Sequence, residues 1–302
     1  MWQSPPLSRP CWNRPDGPVR FSVVTPSFRQ SQWLKLCVAS VADQGVEVEH
    51  IVQDAGSDDG TLDWLLSDAR VKACSEKDAG MYDAVNRGLR RASGEILSYL
   101  NCDEQYLPGA LSAVGAYFER HPKVELLFGD SLVVGPNGEF ICYRKVQKPC
   151  KYHVMVSHLP TFTCSTFFRR SVLDQHGLFF DSRWRDLGDA EWVLRALDKG
   201  VRIGILGEFL STFADTGANM NLAPNAQKEK KLLAQAAPGW ARKLAVALVW
   251  RHRFNRLLRG AYRQKPFDYA IYTMDGTNGR VTHHVERPTF IWKGRLKSLF
   301  KA

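Results

Sequence analysis

The chain has 302 residues, 44% hydrophobic and 24% charged, which excludes a disordered or fibrous polymer and gives enough chain for a sizeable core. No stretch reaches the ~20 apolar residues of a membrane-spanning helix, the opening "MWQSPPLSRPCWNRPDGP" lacks the apolar run of a signal peptide, and seven scattered cysteines without a CxxC exclude a disulfide scaffold or zinc knuckle, so a cytoplasmic setting is expected. The net charge of +10 is uneven: residues 225–302 hold 17 Lys and Arg against 4 Asp and Glu, a net +13, while residues 1–224 hold 24 against 27, a net −3.

Residues 1–18 read as an N-terminal arm. "VRFSVVTPSF" (19–28) reads as a strand that ends at Pro26, and "SQWLKLCVASVADQ" (31–44) as a helix, with apolar residues at helical spacing. "VEVEHIVQDAG" (46–56) is a second strand, "DDGTLDWLLSDA" (58–69) a short helix, "VKACSEKDAG" (71–80) a weaker third strand and "MYDAVNRGLRRAS" (81–93) a helix. "GEILSYL" (94–100) is a fourth strand that runs into "NCDE". Alternation of this kind predicts an α/β fold with a doubly wound, mostly parallel sheet.

The polar residues that interrupt the strands fall at the same end each time: Thr25 to Ser27, Asp54, Asp78 and Asp103. Open α/β sheets bind ligands in the crevice outside those carboxyl ends. Adjacent carboxylates repel, so such a crevice calls for a cation or a donor-rich ligand such as a base, a ribose or a metal-bound pyrophosphate. Neither GxGxxG after the first strand nor GxxxxGK[ST] occurs, which argues against a dinucleotide-binding domain or a P-loop.

The segments "FSVVTPSFRQSQWLKLCVASVADQ", "HIVQDAGSDDGTLDWL", "SEKDAGMYDAVNRGLRRASGEILSYLNCDE" and "YLPGAL" resemble the nucleotide-sugar half of family 2 glycosyltransferases, over roughly residues 19–215 in order. The resemblance implies a GT-A fold in residues 19–223, a nucleotide-diphosphate sugar donor with a UDP-sugar foremost, Mn²⁺ or Mg²⁺, and inverting transfer to a glycan or lipid-linked acceptor in surface polysaccharide or glycolipid assembly. Carried over by residue, Thr25, Pro26 and Ser27 resemble the first donor-binding loop, Asp54 the acid that contacts the base, and Gly56 part of that turn. Asp78 and Gly80 resemble the next donor loop, followed by Asp83 and Asn86 on a helix. "NCDE" resembles the DXD motif, with Asp103 as metal ligand and Asn101 in place of its first acid. "GDAEWVLRAL" resembles the ED motif, with Asp189 as catalytic base, Gly188 where Glu is usual and Glu191 two residues on.

Each residue also has a structural competitor. Asp54 suits an Asp- and Gly-rich turn, Asp103 and Glu104 a strand-end loop, Asp189 a helix N-cap, and Asp83 and Asn86 an exposed helix face. Trp184, Trp192 and Phe179 read as core rather than sugar platforms, and His153, His158 and His176 lack the spacing of a metal set. A degenerate, non-catalytic nucleotide-sugar binder and a sugar nucleotidyltransferase are the competing classes; for the latter, "TPSFRQSQ" lacks the basic Gly-rich loop. The basic extension over 224–302 contains "GWARKLAVALVWRHRFNRLLRGAYR" (239–263), with cations flanking an apolar face that includes Leu244, Ala247, Leu248, Phe254, Leu257 and Leu258. That pattern suits a helix on an anionic membrane surface at the inner face of the cell membrane. A helix packed on the catalytic domain competes with it, and nucleic acid is not expected, because no binding motif accompanies the charge. "PFDYAIYTMDGTNGRVTHHVE" reads as a hairpin turning at Thr277 to Gly279.

Overall fold

The computed structural model describes residues 21–217 and 224–292; the arm expected over residues 1–18 lies outside them. The first half alternates as its sequence predicts: β1 (Phe21–Ser27), α1 (Ser31–Ala42), β2 (Val48–Asp54), α2 (Thr61–Leu65), β3 (Lys72–Ser75), α3 (Met81–Arg91) and β4 (Ile96–Tyr99). After it come β5 (Glu104–Tyr106), α4 (Ala110–Arg120), β6 (Leu126–Val134), β7 (Phe140–Arg144), α5 (Lys151–Val156), β8 (Thr166–Arg169), α6 (Ser171–Asp174), α7 (Gly188–Asp198) and β9 (Ile203–Ala214). The basic region holds α8 (Pro224–Ala236), α9 (Gly239–Lys243), α10 (Ala245–Leu258) and the hairpin β10 (Phe267–Thr273) and β11 (Gly276–Val285).

The sheet order is β3-β2-β1-β4-β8-β6-β9-β5, with β7 paired to β6. β1 pairs in parallel with both β2 and β4, so the chain reverses its direction of travel across the sheet at β1. A crevice opens at such a switch point, outside the carboxyl ends. The second half is mixed: β8 runs antiparallel between β4 and β6, whereas β9 is parallel to β6.

Helices cover both faces of the sheet, so its central strands must be apolar on both sides, and all seven residues of β1 are buried. The two-residue period sorts them. Val24, Ile51 and Leu97 pack with Val85, Leu89 and Trp192, while Phe21, Val23 and Ile96 pack with Cys37, Val41, Leu111 and Val114. At Gly88, a Cβ would lie 2.3 Å from Val24 Cγ1, so the α3 backbone rests directly on the Val24 side chain of β1. Trp192 stacks on Phe180 at 5.1 Å in this core, Phe179 packs at its margin, and Trp184 is half-buried in a neighbouring cluster, as core residues should be.

Two expectations in the basic region need correction. The helical run over 239–263 breaks at Leu244 into α9 and α10. The hairpin pairs Thr273 with Gly276, so it turns at Met274 and Asp275 rather than at Thr277 to Gly279. The hairpin packs Tyr269, Ile271 and Val285 against Leu132 and Tyr143, and Arg280 forms an ion pair with Asp43 at 2.6 Å.

Candidate active site

A cleft of about 1220 Å³ lies at the carboxyl ends of β1, β2 and β4. Of the residues singled out in the sequence, Pro26, Ser27, Gly56, Asp78, Gly80, Asn101, Asp103 and Asp189 line it. All of these but Asp189 come from segments gathered into one wall, because parallel strands deliver their carboxyl ends to one edge.

Thr25, Asp54, Asp83 and Asn86 are not among the lining residues; the structure uses their side chains to shape the wall. Thr25 is buried within β1 and its hydroxyl shares a hydrogen with His50 Nε2 at 2.9 Å. The Asp54 carboxylate accepts the Gly56 and Ser57 N–H groups at 2.9 and 2.7 Å and the Ser57 hydroxyl at 2.7 Å. That is an Asx turn closed by a glycine at φ 86°, a conformation unfavourable for other residues. Asp83 accepts the Ala79 N–H at 3.0 Å and pairs with Arg87, which tightens the loop at Asp78 and Gly80. The Asn86 amide bonds both the N–H and the C=O of Phe180, at 2.9 and 2.7 Å, and so anchors the segment that leads toward α7.

Around "NCDE", Glu104 is fully buried and accepts the Asn101 N–H at 2.8 Å and, more weakly, the Thr163 hydroxyl. Asp103 is half-buried in the cleft. Burial raises both carboxyls above their ordinary range, and the Asp103 charge pushes Glu104 up further. Asn101 Oδ1 is buried without a hydrogen-bond partner. An orphaned amide oxygen and a desolvated carboxylate two residues apart form a hard-oxygen donor set of the kind Mg²⁺ or Mn²⁺ takes.

On the opposite wall, Asp189 lies inside the first turn of α7, beyond the cap position at Leu187. Its Oδ1 accepts the Ala190 N–H at 2.7 Å, and its own N–H donates to Tyr82 Oη at 3.0 Å. Burial raises its carboxyl to about 6, against the pull of the Ala190 N–H, and Glu229 adds to the rise. Gly188 has a steric reason: a Cβ there would lie 2.5 Å from Tyr82 Cε2, so the tyrosine fills the space a side chain would need. Glu191 pairs with Arg195 at 2.6 Å and is not among the lining residues, whereas Asp186 is.

The sequence reading missed the contribution of α8. Gln227, Lys230, Lys231, Leu233 and Ala234 line the cleft, so the wall continues past residue 223 into the region read as an extension. Glu229, also on α8, is buried and accepts the N–H groups of Arg185, Asp186 and Leu187 at 2.8, 3.0 and 2.7 Å. The charge run "KEKK" (228–231) was the available signal: an acid set among lysines at helical spacing. Arg29 is the one positive-φ residue other than glycine among the described residues, at 53°, and it too lines the cleft, paired with Asp58.

An α/β sheet with a cleft at its carboxyl edge, where Asp78, Asp103, Asp186 and Asp189 meet, and mixed pairing beyond it is the architecture of GT-A glycosyltransferases, as the comparisons with known proteins show. The chain belongs to glycosyl transferase family 2, whose family model matches residues 22–177. It is 29% identical over 186 residues to a "PGL/p-HBAD biosynthesis glycosyltransferase" of Mycobacterium bovis, covering 58% of this chain and 68% of that protein. It is 37% identical over 121 residues to an uncharacterized glycosyltransferase of Mycobacterium tuberculosis, covering 38% and 46%. Among solved structures, S. aureus TarS in complex with UDP-GlcNAc matches with a TM-score of 0.60 at 19% identity, covering 82% of this chain and 76% of that one. A Pyrobaculum calidifontis mannosyltransferase in complex with GDP-Man and Mn²⁺ matches at 0.52 and 16% identity, covering 82% and 80%.

Replacing Glu229 by Ala leaves three converging N–H groups without their acceptor, so Glu229→Ala is expected to lower stability by about 2–4 kcal/mol in urea unfolding. Glu229→Gln, which keeps one acceptor oxygen, should recover part of that loss; unchanged unfolding midpoints for both variants would show that the three bonds contribute nothing.

Proposed function

We propose that the protein is an inverting, metal-dependent glycosyltransferase that moves a sugar from a nucleotide-diphosphate donor to a hydroxyl of a glycan or lipid-linked acceptor. The observation that carries this reading is the meeting in one cleft of four strand-end loops with Asp189 on the facing wall. A UDP-sugar is the first donor to test, supported by the UDP-GlcNAc seen in the fold relative.

In this reading Pro26, Ser27, Gly56, Asp78 and Gly80 hold the nucleotide, and Thr25, Asp54, Asp83 and Asn86 keep those loops in shape. Asp103 and the free Asn101 Oδ1 would hold Mn²⁺ or Mg²⁺, which when bound offsets the charge gathering on the departing diphosphate. Lys77, Lys230 and Lys231 face the same space and add cationic charge. The acceptor oxygen bonds to the anomeric carbon as the carbon–diphosphate bond breaks, and the diphosphate leaves with the electron pair. Asp189 takes the acceptor proton, and a carboxyl raised to about 6 is a stronger base than an ordinary one yet still ionised at neutral pH. A single displacement inverts the anomeric centre and needs no second nucleophilic carboxylate.

We also propose that the protein sits peripherally on an anionic membrane surface, where a lipid-linked acceptor would lie. Support comes from the orientation of α9 and α10. Their apolar side chains Trp240, Leu244, Val246, Trp250, Phe254, Leu257 and Leu258 are exposed, with Leu258 at 70%. The cations Arg242, Lys243, Arg251, Arg253 and Arg259 are interleaved with them and exposed. A helix packed apolar-side-down would show the reverse. Among the described residues no helix is long and apolar enough to cross a membrane.

A screen of nucleotide sugars should reveal a donor from which nucleoside diphosphate is released in an acceptor- and metal-dependent way. Asp189→Asn should keep nucleotide affinity and lose transfer by about 10²–10⁴-fold, and Asp103→Ala should lose the gain in nucleoside-diphosphate affinity that Mn²⁺ confers. Equal affinity with Mn²⁺ and with chelator in the wild type would remove the metal, and near-normal transfer by Asp189→Asn would reassign the base.

Liposome co-sedimentation tests the surface. Binding should rise with anionic lipid and fall with salt, and the triple variant Trp250→Ser, Phe254→Ser, Leu258→Ser should lose it. Equal sedimentation of the two proteins would contradict the placement.

A further inference from the structure

We propose that His153, His158 and His252 bind one divalent transition-metal ion of zinc-like chemistry, separate from the oxygen-donor pair at Asp103, and that the ion ties α10 to the wall of the cleft. His153 lies on α5, His158 two residues beyond its end and His252 in the middle of α10. One ring nitrogen from each lies within 4.8 Å of the other two. The His153 and His252 rings stack at 4.0 Å, and His158 stands edge-on to both, at 4.8 and 5.5 Å. His153 and His158 are five apart, but the third member is 94 residues further on, which is why no metal spacing shows in the sequence. His176 is elsewhere, against Glu125.

The nitrogens are what make this a ligand set rather than an aromatic cluster. His153 is 1% exposed, and neither of its ring nitrogens has a hydrogen-bond partner; His252 Nε2 is likewise buried and unpartnered. A neutral imidazole carries one donor and one lone pair, and native structures rarely leave such groups buried and unpaired. His158 Nδ1 shares a hydrogen with Ser157 Oγ at 2.9 Å, which orients the ring as an outer partner orients a metal-bound histidine and leaves Nε2 available.

The surroundings select the ion. Lys230, Arg253 and Arg256 are the charged groups that act on these rings. These cations repel a bound ion and offer it no ligand. No carboxylate joins the cluster. Mg²⁺ and Ca²⁺, which rely on anionic oxygens, are therefore disfavoured, whereas imidazole suits Zn²⁺, Ni²⁺ and Cu²⁺. With Zn–N near 2.0–2.1 Å, tetrahedral ligand nitrogens stand about 3.3 Å apart, so the stacked pair must tilt to close the site. Three protein ligands leave one position open, and His158 itself lines the cleft. His252 is the buried residue of α10, so an ion there would fix the helix that carries the exposed apolar and cationic face.

The test uses the full chain, stripped with chelator and titrated with Co²⁺. One equivalent should bind, with the intense visible absorption of a low-coordinate nitrogen site, and Zn²⁺ should displace it. Asp103→Ala should leave the spectrum unchanged. His252→Phe preserves a ring stacked on His153 but removes a ligand; it should lose the spectrum and the rise in melting temperature that Zn²⁺ gives the wild type. A wild type that shows no such spectrum, or a His252→Phe variant that keeps it, would overturn the proposal and leave a simple stack of neutral rings.

Discussion

A single buried carboxylate holds the second wall of the cleft. Glu229 accepts three successive backbone N–H groups from residues 185–187, immediately before α7, and its own helix then presents Lys230 and Lys231 to the cleft. N–H groups approaching a helix start have no partner within the helix, so one acid from α8 fixes both the path of the chain into α7 and the seat of α8. Asp189 is two residues past the last of those bonds. Its position and part of its rise in pKa both trace to Glu229.

The first wall rests on a different constraint. Asp103 and Glu104 are adjacent and both desolvated, which raises both carboxyls, and the Asp103 charge makes Glu104 harder still to ionise. The buried strands β4 and β5 place them there, at the point where the chain leaves one strand and enters the next. Glu104 is consumed by the Asn101 N–H, which leaves Asp103 on the cleft and Asn101 Oδ1 buried without a partner. Asn101 in place of a third acid lowers the repulsion without removing the oxygen donor.

Much of this was legible in the sequence because it is local. The alternation through residue 100 and the polar strand ends come from period and turn chemistry, and they located Pro26, Ser27, Asp78 and Asp103 in the cleft, whereas Gly56, Gly80, Asn101 and Asp189 came from the family resemblance. Asp54, Asp83 and Asn86 show the limit of that reading. A carboxylate at a strand end looks the same whether it meets a ligand or its own Ser57 N–H, and only the three-dimensional turn decides. Glu229 and the histidine cluster were hidden because their partners lie more than 40 residues away. For α10, amphipathic spacing shows that the helix has two faces but not which one turns outward, and His252, with Leu248 one turn before it, proved to face inward while Leu257 and Leu258 are exposed. Gly188 could not be interpreted until Tyr82, 106 residues earlier, was found filling its space.

Asp189 is held in a state unfavourable for folding: its carboxyl is desolvated in the cleft wall, the condition that the proposed role of base calls for. Folding raises its carboxyl from 3.8 to about 6, so between those values the folded chain holds the proton more tightly than the unfolded one, and stability falls as pH rises through that window. The cost at neutral pH is about 3 kcal/mol. The decisive measurement is urea unfolding of wild type and Asp189→Asn from pH 4 to pH 8. The neutral variant should gain on the wild type as pH rises from about 4 to about 6 and hold that advantage above it. A difference that does not change with pH, or an Asn variant that is the less stable at pH 7, would make Asp189 an ordinary helix-terminal carboxylate.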